Sequence, residues 1–365
     1  MRITAICRGA PGLGRVVPSL ALIETLAARG EVTSTFMTYG AGARYLTSRG
    51  KTVVDLGKPD GLFIDSVAPQ ALRILELLTH DAPDVVLVDG EFFLPVALTD
   101  IGAPVIYLAN PHDLLGAQNT FRRVNRILLS YADMVIMSSL SCARPNPRPA
   151  LVRGTPCIEI PPLTKDVPLE HHRADGAPRV LVTTGGGSLG NHDLRAATDA
   201  ALVQVLDVLA ELVDANEVGC VRVVLGCDAR PPERWQNHPA WLEVSDAPVE
   251  LGDLYPDHDL LIARAGRNTT AEAAYCGIPT VLLPMTADAH RSAEQTDNVT
   301  VAAHRSGVFP MLEWNQPVAL RKTLTHALAY TRRGVRTPGQ RGNDTAANIV
   351  ARLLGYGYAP PLNAS

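Results

Sequence analysis

Short apolar runs alternate with segments of helical length along most of this 365-residue chain. Apolar runs bounded by turn residues are typical of buried strands, and helices between them indicate the crossovers of a parallel sheet. The predicted strands are 2–7, 32–37, 52–55, 84–89, 104–108, 134–138, 179–183, 221–225, 241–244, 260–262 and 280–283. The clearest predicted helices are 17–29, 67–80, 92–101, 121–132, 194–213 and 343–354. We therefore expect an α/β fold.

A proline-rich stretch separates two α/β halves of the chain. Seven prolines fall between residues 145 and 168, a composition that marks a boundary. We expect strand 134–138 to close the first half, and two Rossmann-like domains to face each other across a cleft. The predicted domains are 1–160 and 161–340, followed by a C-terminal helix and tail, 341–365.

Composition excludes several classes of function. The formal net charge of −4 and pI near 6.2 offer no general attraction to nucleic acid. The first residues lack the apolar core of a signal peptide, and no apolar run reaches the roughly 18–20 residues that span a bilayer. Six dispersed cysteines form no Cys-x-x-Cys pair. We expect a cytoplasmic protein with no membrane span, nucleic-acid partner or metal.

The stretch 264–298 carries the densest set of candidate binding residues. A small-residue turn opens it, and a helix then begins near Thr269. Backbone amides at a helix N-terminus attract phosphate, and Glu272, about one turn inside, can accept hydrogen bonds from ribose hydroxyls. Glu294 and Gln295 on the following helix can bind the hydroxyls of a sugar. The predicted donor contacts here are Ala265, Gly266, Arg267, Asn268, Thr269, Glu272, Glu294 and Gln295. The alternative is an ordinary αβα unit with Glu272 as an N-terminal helix charge.

These residues resemble the donor-binding signature of the two-domain GT-B glycosyltransferases, especially the MurG-like and UDP-glycosyltransferase groups. The block S/R-x-G-x-x-T-x-x-E corresponds to 264–272, G-x-P to 277–279, and D/E-Q-x-x-N to 294–298. The resemblance implies that the C-terminal half binds the donor and the N-terminal half the acceptor. It also implies that the last helix packs back on the first domain.

A glycine-rich turn, TTGGGSLG, follows the predicted strand 179–183 and precedes a long helix. Glycines there allow a close approach of the backbone to a ligand. The resemblance implies that Gly186, Gly187 and Ser188 contact the donor diphosphate. A plain strand-to-helix connection is the alternative.

A second glycine-containing turn, Gly12 to Arg15, follows the first strand. It lacks the third glycine and the acidic residue after the second strand that NAD or FAD binding requires. In the resembling family this turn usually carries a histidine, whereas this chain has Arg15. An arginine stays protonated and cannot act as a general base, but it can clamp a diphosphate or an acidic group. Gly14 is predicted to approach the donor.

A general base must then come from elsewhere if the enzyme inverts by direct displacement. Ligands bind at the carboxyl ends of parallel strands, and acidic side chains follow two of them. Glu91 is the favoured base, with Asp89, His112 and Asp113 as alternatives, while Asp89 could simply cap the next helix.

Asp257-His258-Asp259 has the form of a D-x-D metal motif but stands before a buried strand without further ligands. We expect a surface loop there and no metal, because helix amides and basic side chains can offset leaving-group charge in the GT-B pattern.

The resemblance implies a metal-independent, inverting glycosyltransferase that moves a sugar from a UDP- or dTDP-sugar to a small acceptor, with no other cofactor. The chain is also similar to glycosyltransferases of nucleoside-antibiotic biosynthesis, including the cytosylglucuronic acid synthases, which join glucuronate to cytosine. A nucleotide-sugar hydrolase or 2-epimerase on the same fold and a non-catalytic nucleotide-sugar-binding protein stay open. The sequence does not indicate the oligomeric state.

Overall fold

The chain forms two compact units. The computed structural model describes residues 1–10, 12–57, 70–114, 120–142, 150–172, 176–185, 192–225, 231–245, 249–284, 289–312, 315–334 and 336–355. The first unit comprises Met1–Thr164 and Arg341–Ser365, and the second comprises Lys165–Gln340. Among the described residues, no helix combines the length and apolar character needed to cross a membrane.

Each unit is built on one sheet. In the first unit the strands are β1 (Arg2–Cys7), β2 (Thr33–Thr38), β3 (Thr52–Asp55), β4 (Val85–Asp89), β5 (Val105–Ala109), β6 (Met134–Ser138), β7 (Ala150–Val152) and β8 (Thr155–Ile160). In the second they are β9 (Arg179–Thr183), β10 (Cys220–Val224), β11 (Leu242–Ser245), β12 (Leu260–Arg264), β13 (Thr280–Leu283) and β14 (Val308–Pro310). The two sheets have the strand orders β3-β2-β1-β4-β5-β6-β8-β7 and β11-β10-β9-β12-β13-β14.

Helices connect and cover these strands. They are α1 (Val16–Ala27), α2 (Gly40–Ser48), α3 (Ala71–Asp81), α4 (Leu94–Ala97), α5 (Pro111–Leu114), α6 (Thr120–Leu128), α7 (His192–Asp214), α8 (Leu251–Leu254), α9 (Arg267–Cys276), α10 (Ala289–Ala302), α11 (Pro317–Thr331) and α12 (Asn343–Leu353). Apart from the antiparallel β7–β8 pair, the described strand pairs are parallel, so the α/β prediction is confirmed.

Apolar side chains bury both faces of the central strands. In the first unit, residues of β1 and β4 contribute alternately to two cores, one of which contains the inner face of α1. The same alternation divides β9 and β12 between two cores in the second unit. Strands buried on both faces read as continuous apolar runs, and this is why the sequence pattern predicted them.

The last helix, α12, packs on the first unit, as the resemblance implied. Ala346, Ala347 and Val350 lie in the same core as the inner face of α1. At the start of this helix, the buried Asn343 side chain donates a hydrogen bond to the Thr164 carbonyl (2.8 Å) and accepts one from the Thr164 amide (3.1 Å). These hydrogen bonds therefore join the end of the first segment of this unit, at Thr164, to the start of its second segment, at Asn343.

The first sheet continues beyond the strand predicted to close it. We expected this half to end at β6, but β8 pairs with β6 in parallel and β7 adds an antiparallel edge. The prolines that suggested a linker do not prevent this, because Pro156 lies near the start of β8, before the Cys157–Val135 pair of the parallel ladder. The first break between the units consequently falls at 164/165 rather than 160/161.

Candidate functional site

In the second unit, the predicted donor residues 265–269 and 272 follow β12, and Glu294 and Gln295 lie on α10, the helix after the neighbouring strand β13. Gly266 caps α9 in an extended conformation (φ −70°, ψ 141°), and Gly277 ends the helix in the left-handed conformation (φ 70°). The first amides of any helix lack intrahelical acceptors, so the 266–269 turn offers the phosphate-attracting end that the motif predicted.

Glu272 lies one turn inside α9 and is buried, with 4% of its surface exposed. Burial raises the pKa of its carboxyl, and the Lys165 ammonium opposes that shift. The Tyr255 hydroxyl donates a long hydrogen bond of 3.5 Å to Glu272 Oε2. Lys165 itself pairs with Glu250 at 2.5 Å. Because this hydrogen bond is long, the buried carboxylate can accept further hydrogen bonds from a polyol such as ribose.

The Arg264 guanidinium covers the end of β9. A Cβ atom on Gly185 would lie only 3.0 Å from Arg264 Nη2, and Gly185 has a φ of 89°. The left-handed φ favours glycine at this point, and a Cβ atom would also crowd the guanidinium. Gly186, Gly187 and Ser188, the predicted diphosphate contacts, lie outside the described residues.

The helix α10 approaches the small-residue turn before α9. Asn298 Nδ2 donates a hydrogen bond of 3.0 Å to the Ala265 carbonyl. Gln295 is buried and Glu294 is half-buried on the same helix. Within the D/E-Q-x-x-N segment, Asn298 therefore stabilises the turn before α9. Glu294 and Gln295 of the same segment are the residues predicted to bind sugar hydroxyls.

In the first unit, Arg15 is held by two carboxylates. Its Nη1 and Nη2 atoms donate hydrogen bonds to the two oxygens of Asp113 at 2.8 and 2.7 Å, and Nη1 lies 3.2 Å from Asp89 Oδ1. Burial opposes the charge of Arg15, but the two carboxylates raise its pKa well above the ordinary value. The Asp113 carboxylate also accepts a 2.8 Å hydrogen bond from the Asn110 amide.

These contacts change the role expected for Arg15. From its residue type, Arg15 was expected to bind a diphosphate or an acidic substrate group. Its bidentate pair with Asp113 and its contact with Asp89 instead place the guanidinium inside an internal ion-pair network at the ends of β4 and β5. Paired carboxylates also make poorer bases, since their ionised form is stabilised.

Glu91 is the predicted base that stands outside this network. It is 1% exposed, and burial raises its pKa from 4.5 to about 7, opposed by Arg8, Tyr39 and Arg15. The Tyr39 hydroxyl donates a 2.8 Å hydrogen bond to Glu91 Oε1, and Arg8 Nε lies 3.9 Å from the same oxygen. A carboxyl with a pKa near neutrality has the acidity that general acid–base catalysis requires.

The remaining predicted residues of this unit differ in exposure. His112 is half-buried in the short helix α5, beside the buried Asp113. Gly14 lies in the turn before α1, where a Cβ atom would meet no described atom within 4 Å. Packing therefore does not require a glycine at position 14.

Arg8 and Tyr39 are site residues that the sequence reasoning missed. Each directly follows a strand: Arg8 follows β1, which neighbours β4, and Tyr39 follows β2, which lies on the other side of β1. The end of the second strand was notable only in lacking the acid that NAD binding would require. The position was informative, since ligands bind at such strand ends, but the residue type was not anticipated.

The D-x-D segment is only partly the surface loop that we expected, since Asp257 is exposed but the next two residues are held in place. His258 is buried, and Asp259 accepts a hydrogen bond from the Arg179 amide (2.8 Å) and pairs with His171 (3.1 Å). These contacts fix the segment at the start of β12. Among the described residues, no group of three or more histidine, cysteine, aspartate or glutamate side chains could hold a metal ion.

A family comparison matches the second unit. Residues 181–331 match the family described as "Glycosyltransferase family 28 C-terminal domain". The matched range contains the α9 turn, Glu272, Arg264, Gly185 and Gln295.

Sequence relatives extend this similarity. One is the UDP-N-acetylglucosamine--N-acetylmuramyl-(pentapeptide) pyrophosphoryl-undecaprenol N-acetylglucosamine transferase of Prochlorococcus marinus (strain MIT 9303), 31% identical over 62% of this chain and 56% of the relative. Across three such relatives, the matched part spans 45–60% of their length.

Solved structures are similar over almost the whole chain. MurG from Acinetobacter baumannii superposes with a TM-score of 0.56 at 18% identity, over 97% of this chain and 99% of that one. The glycosyltransferase SnogD from Streptomyces nogalater gives a TM-score of 0.61 at 19% identity, over 97% and 99%. These similarities identify the fold, with its two Rossmann-like α/β units, as GT-B.

Proposed function

We propose that this chain, which has the GT-B fold and carries a glycosyltransferase family 28 C-terminal domain, transfers a sugar from a nucleoside diphosphate-sugar to a small acceptor. The observation that carries the proposal is the donor site at α9, where a helix N-terminus, a buried carboxylate and a glycine–arginine contact meet within the family-matched residues. UDP- or dTDP-sugars are the proposed donors.

The donor site supplies complementary groups for each part of such a donor. The N-terminus of α9 and the Arg264 guanidinium beside Gly185 suit the diphosphate. Glu272 suits the ribose hydroxyls, and the α10 residues Glu294 and Gln295 suit the sugar. The helix dipole and the arginine offset the charge of the departing nucleoside diphosphate, so the proposed transfer uses no metal and no other cofactor.

Glu91 is the proposed general base on the acceptor side. Its pKa is about 7, whereas Asp89 and Asp113 form ion pairs with Arg15. Proton removal by Glu91 from the acceptor nucleophile would allow direct displacement with inversion. His112, half-buried on α5, is the second candidate for this role.

The substrates belong to the same proposal at a finer level. A nucleobase or natural-product acceptor and a uronate donor, as used by cytosylglucuronic acid synthases, follow from the resemblance described above. The pairing of Arg15 with two carboxylates leaves a uronate to be recognised on the donor side, where Arg267 begins α9 and Arg264 is already assigned to the diphosphate.

The test is a panel of UDP- and dTDP-sugars, including UDP-glucuronate, incubated with and without a mixture of nucleobase and polyphenol acceptors. Mass spectrometry of the products would show an acceptor increased by one sugar residue. Free sugar without acceptor would indicate a hydrolase, and an epimeric nucleotide sugar would indicate a 2-epimerase. Donor binding without any turnover would indicate a non-catalytic binding protein.

Two variants connect this assay to the site. Glu272→Ala should weaken UDP binding, whereas Glu170→Ala should not, because the Glu170 side chain is 82% exposed in the segment before β9. Equal UDP affinity of both variants and the wild type would show that Glu272 does not bind the ribose of the donor.

A further inference from the structure

Arg8 contacts three consecutive residues, Gly90, Glu91 and Phe92. One guanidinium nitrogen of Arg8 donates a hydrogen bond to the Gly90 carbonyl, and the guanidinium lies over the Phe92 ring at 5.3 Å from its centroid. Arg8 Nε faces Glu91 Oε1 between these two contacts, at 3.9 Å. One buried cation thus contacts the residue before Glu91, Glu91 itself and the residue after it.

Gly90 makes this arrangement possible. Its φ of 83° is in the left-handed region, and a Cβ atom there would lie 2.8 Å from Arg15 Cγ and 2.9 Å from Arg8 Cβ. Only a glycine can turn the chain at this point between the two arginines. The turn carries the chain from β4 directly into Glu91.

The backbone of Tyr39 is held in place by the turn after β1. It precedes α2, and its carbonyl lies where a Cβ atom on Gly9 would stand, only 1.8 Å from that position. The Gly42 amide donates a 2.9 Å hydrogen bond to the Gly9 carbonyl, which holds the start of α2 against the turn after β1. The Tyr39 hydroxyl therefore meets Glu91 Oε1 from a rigid backbone.

We propose that Arg8 and Tyr39 are positioning residues for Glu91: together they hold Oε1, so that Oε2 is the atom that takes up and releases the proton. Both contacts converge on Oε1, and no described residue donates a hydrogen bond to Oε2. The inference rests on the proposed role of Glu91 as base.

The charged and titratable groups around Glu91 come from four elements. Cys7 ends β1 and Arg8 follows it, Tyr39 follows β2, Arg15 directly precedes α1, and Asp89 ends β4. Arg8, Tyr39 and Arg15 each favour the ionised carboxylate, in that order, against the larger opposing effect of burial. Loss of the Tyr39 hydroxyl must therefore raise the pH at which Glu91 ionises.

The experiment measures Glu91 directly, without any substrate. Protein labelled with carbon-13 at the glutamate carboxyl is titrated by NMR, and Glu91→Gln identifies the resonance. In Tyr39→Phe we expect the midpoint of Glu91 to rise by about half to one pH unit, the equivalent of one hydrogen bond. Arg8→Lys, which keeps the charge but not the guanidinium contacts, should also shift it.

Tyr330→Phe is the matched control. It removes a tyrosine hydroxyl that is hydrogen-bonded to Ser306 at 2.7 Å in the second unit, and it should leave the Glu91 midpoint unchanged. An unshifted midpoint in Tyr39→Phe, or an equal shift in the control, would overturn the inference.

The pH profile of sugar transfer provides the second readout. Its acidic limb should move with the Glu91 midpoint in Tyr39→Phe and stay in place in Tyr330→Phe. If the NMR midpoint moves and the limb does not, Glu91 is held as described but is not the base. In that case the role of Glu91 in the proposed function is wrong. Whether Tyr39 positions the Glu91 carboxyl is decided separately, by the NMR titration.

Discussion

Replacement of Glu91 by glutamine should change how the stability of the first unit depends on pH. The carboxyl has a pKa of about 7 in the folded protein, against 4.5 in the absence of burial. Between these values, the unfolded chain ionises Glu91 while the folded protein keeps it protonated. The folded state then binds more protons, so stability must fall as the pH rises.

The magnitude follows from the difference between the two pKa values. Stability should fall by about 1.4 kcal/mol per pH unit within this window, and by about 3 kcal/mol in total between pH 4.5 and 7. The contribution of Glu91 is fully present below pH 4.5 and lost above about pH 7. Glutamine keeps the side-chain shape without the ionisation, so the Glu91→Gln variant should lack this loss.

The assay must report on the first unit separately. All three tryptophans of the chain, Trp235, Trp241 and Trp314, belong to the second unit, so tryptophan fluorescence follows that unit. Hydrogen exchange of peptides from β1 and β4, resolved by mass spectrometry, follows the first. The free energy of opening is compared between wild type and variant from pH 4.5 to 8, with tryptophan fluorescence in urea as the internal control.

The expected result is a widening gap in favour of the variant, which grows between pH 4.5 and 7 and is constant above. Differences between two proteins cancel the titration of all other groups. Parallel curves for wild type and Glu91→Gln would refute the reasoning, because they would mean that burial does not hold the proton on Glu91. An equal change in the tryptophan signal would place the effect outside the first unit.

Three further perturbations have defined outcomes. Glu272→Ala should weaken UDP binding by about 1–3 kcal/mol in calorimetry through loss of charge-assisted hydrogen bonds, and unchanged affinity in a folded variant would contradict the ribose assignment. Gly185→Ala and Gly102→Ala both strain a glycine of positive φ, but only Gly185 has a guanidinium at 3.0 Å, so only Gly185→Ala should also reduce UDP affinity in the same calorimetry. Arg15→Met should destabilise the first unit by about 3–5 kcal/mol in urea because it leaves buried carboxylates unpaired, and the double variant with Asp113→Leu should be less destabilised than Arg15→Met alone. Equal losses in the single and double variants would show that the ion pair is not the cause.

Local patterns were sufficient for much of the fold and for the donor motif. Strands 2–7, 134–138 and 179–183 have the predicted bounds, because strands buried on both faces are continuous apolar runs. The helix after the 266–269 turn ends at Gly277, as the residue types indicated. In each case the information lies within a few neighbouring residues.

The acceptor-side site depends on contacts that local patterns do not contain. Tyr39 and Glu91 are 52 positions apart, and Arg15 and Asp113 are 98 apart. Their meeting requires the order β2-β1-β4-β5, which brings four strand ends side by side. Sequence position could identify these strand ends as candidate sites, but not which carboxylate would be paired with Arg15 and which would keep its proton.

The most direct measurement is hydrogen exchange of the whole chain with and without saturating UDP. We predict that UDP slows exchange in the second unit, in peptides that cover the end of β9 and residues 264–276, because their amides and Glu272 contact the nucleotide. In Glu272→Ala, the same protection of these peptides should require a UDP concentration about 5- to 150-fold higher, the equivalent of the loss of about 1–3 kcal/mol predicted above. Absence of protection at 264–276, or protection confined to the first unit, would contradict the donor site and with it the proposed function.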